Sequence, residues 1–125
     1  MAITILSQGR LNRASELVPM IDGLSPTQLA SLEEAFKFHQ THPTIESANR
    51  LVREYVEIAK GLGLTAVPYE SPSAIDRVVW AEMRLPQSAI GRGQNFLNVA
   101  ADENGGIRYS RVYRHPPTEW TWHGC

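Results

Sequence analysis

NFLNVAADENGGIRYSRVYRH, residues 95–115, reads as strand, turn, strand. Asn95–Ala101 and Ile107–His115 are the two segments that flank the turn. Between them, Asp102-Glu103-Asn104-Gly105-Gly106 offers the positive backbone φ that a tight reversal needs. A C-terminal β-hairpin follows, and the rest of the fold can be read outward from it.

Upstream, Ile75–Leu85 alternates with a period of two. Val79, Ala81, Met83 and Leu85 fall on one face, and Asp76, Val78, Trp80, Glu82 and Arg84 on the other. One apolar and one mostly polar face is the antiparallel pattern. Thr65–Tyr69 reads as a short edge strand, because Pro68 cannot donate to a central ladder.

Before Leu64 the period is helical. Leu24-Ser25-Pro26-Thr27-Gln28-Leu29 carries an N-cap Ser, a Pro at the first helical position and a Gln three residues after the cap. Leu24 and Leu29 flank this capping box as a hydrophobic staple. The helix runs through Leu32, Ala35, Phe36 and His39 and stops near His42-Pro43. Thr44 caps a second helix with an apolar face of Ala48, Leu51, Val52, Tyr55, Ile58, Ala59 and Leu62. It ends at Gly61 or Gly63. The short connection makes the pair a helical hairpin. Arg10–Asp22 has helix-like spacing interrupted by Pro19, and Met1–Leu6 reads as a short strand or arm broken by Ser7-Gln8-Gly9.

The expected fold is a two-layer α+β domain, with N-terminal helices on a three- to four-stranded antiparallel sheet. Residues 1–24 form an arm and short helix, 25–63 the helical hairpin, 65–115 the sheet and 116–125 an aromatic tail with Trp120 and Trp122. The 125-residue length and 42% hydrophobic content suit one globular domain. One cysteine, Cys125, excludes an internal disulfide framework. No stretch approaches the length of a membrane span, and Met1–Gly9 lacks the pattern of a secretion signal. A soluble, cytoplasmic chain is expected.

Candidate binding residues cluster on the last strand. Tyr109, Arg111, Tyr113 and His115 share one face with Ile107, while Arg108, Ser110, Val112 and Arg114 share the other. Tyr and Arg are typical anchors of protein interfaces, and they also hold rings, phosphates and carboxylates. The plain alternative is that the Tyr rings pack in the core with their hydroxyls at its edge. Trp80, among charged neighbours, suggests an interface unless the N-terminal segment or the tail covers it. Arg92, between Gly91 and Gly93, sits in a loop suited to an anion but matches no phosphate-loop motif.

The charge pattern is close to neutral, at −1 net, with a locally basic end carrying Arg108, Arg111 and Arg114. That balance argues against general DNA binding. His39, His42, His115, His123 and Cys125 fit no standard zinc spacing, and no nucleophile elbow is present. Glu54 and Glu57 interleave with Arg50, Arg53 and Lys60, which suits pairs on a solvated helix face.

Three readings follow. The first is a non-catalytic interaction protein of inhibitor, adaptor or accessory type. It docks on a protein partner or self-assembles through Trp80, Arg92, Arg108, Tyr109, Arg111, Tyr113 and Arg114. The second is a binder of a nucleotide, a small anion or, less expected, nucleic acid through the same strand. The third is a small enzyme using Glu82, His115 and His39 as acid–base groups, although no spacing marks them. No cofactor and no metal are expected.

Overall fold

The computed structural model describes residues 3–70, 77–86 and 93–115. The elements run β1 (Ile3–Arg10), a 3₁₀ helix (Ala14–Met20), α1 (Pro26–Thr41), α2 (Ile45–Gly61), β2 (Ala66–Glu70), β3 (Val78–Arg84), β4 (Gln94–Asp102) and β5 (Ile107–Arg114). One antiparallel sheet takes the order β1-β5-β4-β3-β2. The α+β expectation holds, with one strand more than the sequence indicated. Among the described residues no helix is long and apolar enough to cross a membrane.

Local chemistry sets the helices. Ser25 Oγ accepts from the Gln28 N–H at 3.1 Å, and the Ser25 N–H donates back to Gln28 Oε1 at 2.9 Å. Thr44 and Ser47 form the same reciprocal pair at the start of α2, at 2.9 and 3.0 Å. Each pair satisfies two N–H groups that a helix terminus otherwise leaves without partners. The 3₁₀ helix contains Pro19, whose missing N–H and fixed φ prevent a longer α-helix there.

The expected break at Ser7-Gln8-Gly9 is not found. β1 continues to Arg10 along the whole of β5, with a bulge between Ile5 and Ser7. The free edge of β5 supplies the ladder, and the Tyr109 ring stands 3.3 Å from where a β-carbon on Gly9 would lie. Tertiary pairing thus overrides the weak local propensity of this segment. At the β4–β5 turn, Gly105 alone adopts positive φ, at 100°. Asp102 Oδ1 accepts from the N–H groups of Asn104 and Gly106 and pins the turn.

The core lies between the helices and one sheet face. Leu51, Val52, Tyr55, Ile58 and Ala59 of α2 are buried, as are Val79, Ala81, Met83, Leu97, Val99, Ala101 and Ile107 from the strands. Leu32, Ala35 and Phe36 bring in α1, and Leu17 and Ile21 close one end. Among the described residues the opposite face of the sheet carries no helix. It will be called the outer face.

His39 is fully buried where α1, α2 and the β4–β5 turn meet. Its Nδ1 lies 2.5 Å from Ser47 Oγ, and among the described residues Nε2 has no hydrogen-bond partner. Burial pushes its pKa below the usual 6.5, against the opposing pull of the Asp102 carbonyl and carboxylate. The unfolded chain therefore binds a proton at this position before the folded one does. The stability held above pH 6.5 is lost as pH falls toward the lowered folded value, at no more than about 1.4 kcal/mol per pH unit. Urea midpoints at pH 7.5 and at pH 5 should differ in the wild type and differ less in His39→Phe. An equal fall in both would assign the acid sensitivity to other groups.

Candidate functional site on the outer sheet face

Residues directly opposite in an antiparallel ladder share a face, so the register fixes the composition of the outer face. Three rows cross it. The first runs Tyr69, Trp80, Ala100, Arg108, Arg10 from β2 to β1. The second runs Val67, Glu82, Asn98, Ser110, Gln8. The third, from β3 to β1, is Arg84, Phe96, Val112, Ile5, with Ile3 and Arg114 beyond it.

The face is apolar at two opposite corners and polar between. At one corner the Tyr69 and Trp80 rings stack at 5.4 Å with planes 21° apart, next to exposed Val67. At the other corner Ile3 and Ile5, each 56% exposed, lie beside Val112 and Phe96. Arg114 reaches from β5 across the Phe96 ring, 4.4 Å from its centroid, to Glu82 Oε2 at 2.5 Å. This packing buries Glu82 and commits Arg114 to an internal pair. Stacking on an aromatic face while forming a charge-assisted bond is a geometry that Arg supports and Lys does not.

Between the corners lies a shallow depression of about 300 Å³, lined by Gln8, Trp80, Asn98, Ala100, Arg108, Tyr109 and Ser110. Its floor is low at Ala100 because the flanking Trp80 and Arg108 are large and Ala is small. An adjoining depression of about 400 Å³ shares Ala100 and Arg108 and reaches Asp102 and Asn104. Asn98 Nδ2 lies 3.5 Å from Ser110 Oγ, while Asn98 Oδ1 is buried with no hydrogen-bond partner among the described residues.

The sheet divides the residues picked out from sequence. Trp80, Arg108 and Arg114 lie on the outer face. Tyr109, Arg111 and Tyr113 lie on the helix-side face of β5, and Arg92 lies outside the described residues, as do Trp120 and Trp122. Tyr109 packs against the core. The Tyr113 hydroxyl accepts from the Gly93 N–H at 2.7 Å, and its ring meets the His115 ring edge-on at 4.8 Å. Tyr109 thus packs on the core while also lining the depression of about 300 Å³, and Tyr113 is held at the end of β5 by Gly93 and His115. Arg111 Nε is buried and has no partner among the described residues.

The three acid–base candidates stand in separate surroundings. Glu82 is paired on the outer face, His39 is enclosed by the helices, and His115 Nε2 is 2.6 Å from Thr4 Oγ1 beyond the end of β5. Among the described residues no group of three or more His, Cys, Asp or Glu is placed to hold a metal ion.

Sequence reading missed Tyr69, Val67, Ile3, Ile5 and Arg10. Pro68 had marked β2 as an edge, but only the β2–β3 register shows that Tyr69 stacks on Trp80. Arg10 joined the face because β1 did not stop at Ser7. No protein family model, curated protein or solved structure matches this chain.

Proposed function

We propose that this chain is a small non-catalytic interaction protein that docks through its outer sheet face, with a second copy of itself as the partner. One observation carries the reading. Among the described residues, Ile3, Ile5, Val67 and Tyr69, four of the seven exposed large apolar residues, lie on the sheet face that no helix covers. The Trp80 ring beside Tyr69 adds a half-buried aromatic anchor of the kind that dominates interfaces.

The area is compatible with a modest, reversible contact. Five strands about 4.8 Å apart and roughly seven residues long, at about 3.3 Å each, give a face near 550 Å². Two such faces bury about 1,100 Å², at the low end for a specific interface. An isologous pairing places each apolar corner on the partner's matching surface and leaves the polar strip between them wet. A reducing compartment such as the cytoplasm is part of the proposal, on the strength of the single Cys125.

Native mass spectrometry and sedimentation equilibrium on the full chain test it. The expected species is a dimer that dissociates on dilution. Ile5→Lys and Tyr69→Lys should each weaken it by about tenfold or more, since each would desolvate a charge in the contact. Both positions are exposed, so circular dichroism should stay unchanged. A wild-type chain that remains monomeric at its highest soluble concentration overturns the reading.

A further inference from the structure

We propose that the row Trp80, Ala100, Arg108, Arg10 is a binding site for a small planar aromatic anion, with a nucleoside monophosphate as the fitting chemistry. Arg10 and Arg108 stand directly opposite each other on β1 and β5, and both are exposed. Among the described residues neither has a carboxylate partner. Like charges facing each other across a ladder repel and destabilise the pair. A doubly charged phosphate set between the two guanidiniums relieves that repulsion and accepts from both forks.

The rest of the row supplies a seat for a ring. Ala100 lies between Trp80 and Arg108 and leaves the depression of about 300 Å³. Trp80 is braced from behind by Tyr69 at 5.4 Å, so its indole forms one fixed wall. Two strand spacings, about 10 Å, separate the Trp80 and Arg108 backbones. A ring over Ala100 therefore touches Trp80 while an attached anionic group reaches Arg108. Asn98, one position along the same side of β4, lines the depression and has a buried Oδ1 without a partner among the described residues.

The remaining charges leave this end of the face positive. Glu82 is held by Arg114, and Asp102 keeps its negative charge beside Arg108 in the adjoining depression but is outweighed there by the two arginines Arg10 and Arg108. The net charge of −1 disfavours a long polyanion and leaves a mononucleotide as the fitting size.

Calorimetry on the full chain with AMP, CMP, adenosine and inorganic phosphate is the test. Saturable one-to-one binding of at least one nucleotide is expected, with adenosine and phosphate each weaker by about tenfold or more. Arg108→Gln and Trp80→Leu should each cost a similar factor, with unchanged circular dichroism. The Arg108 change lies on an exposed side chain, so it remains informative if Trp80→Leu fails to fold. No saturable binding of either nucleotide at millimolar concentration overturns the site. So does phosphate binding as tightly as the nucleotides, or binding that both substitutions leave intact. Tight binding of single-stranded RNA without mononucleotide binding also overturns it. The site shares Trp80 and the outer face with the proposed dimer contact, and the two outcomes separate them: a monomer that binds nucleotide keeps this site and removes the dimer, and a dimer that binds none does the reverse.

Discussion

Tyr55→Ala is expected to lower the unfolding free energy by about 3–5 kcal/mol, the cost of emptying a large aromatic site in a packed core. The side chain is fully buried on the sheet-facing side of α2, and its hydroxyl donates to the Leu97 carbonyl on β4 at 2.7 Å. Burial drives the phenol pKa well above 10, so the group stays a neutral donor across the working pH range. The substitution removes the ring volume and leaves that carbonyl without its side-chain donor. Tyr55→Phe separates the two, because it keeps the ring and loses only the hydrogen bond, at about 1 kcal/mol. Denaturant titration of both variants checks the pair. Equal effects for Ala and Phe would mean that the hydroxyl, not the ring, anchors α2 to the sheet.

Gly93→Ala should cost about 3 kcal/mol, the upper end for overpacking, although it adds a single methyl. A β-carbon there would fall 2.3 Å from Tyr113 Cζ and 2.4 Å from the Arg114 carbonyl oxygen. Neither neighbour can yield cheaply. The Tyr113 hydroxyl is bonded to the Gly93 N–H itself, and the Arg114 carbonyl belongs to the β5 backbone. The damage should concentrate at the start of β4 and the end of β5. It should also disturb Arg114, which holds Glu82 across Phe96 on the outer face. Hydrogen exchange should show faster exchange in that pair of strand ends than in α1 and α2. A variant with wild-type stability would show that Gly93 does not approach β5 this closely.

The helices were legible because their signals are local. Ser25 with Gln28, and Thr44 with Ser47, satisfy one another within a single turn, so the caps form wherever the chain is placed. The apolar stripe of α2 was readable for the same reason: one face must be buried, whatever buries it. The β4–β5 hairpin is largely local too, since Asp102 and Gly105 shape the turn itself, although the Glu103 N–H also donates to the Arg77 carbonyl and Gly105 lies against Pro43.

The candidate site was legible only in fragments. Trp80 and Arg108 could be singled out by residue type, but their neighbours come from strand pairing across long stretches of sequence. Tyr69 reaches Trp80 through the β2–β3 register, and Arg10 reaches Arg108 because the first strand pairs with the last. The division of β5 into two faces was legible from its period of two, but not which face the helices would cover. Arg108 and Arg114 face outward, while Tyr109 and Tyr113 turn to the helix side, where one packs and the other bonds to Gly93.

Sequence by itself determined that this protein is a helical hairpin followed by antiparallel strands, since capping, turn chemistry and apolar periodicity act over a few residues. Tertiary structure decided that β1 is a full strand on the edge of β5. It also decided which sheet face lacks a helix, and that two arginines oppose each other beside a braced tryptophan. Those features depend on register between distant segments, which no local pattern encodes.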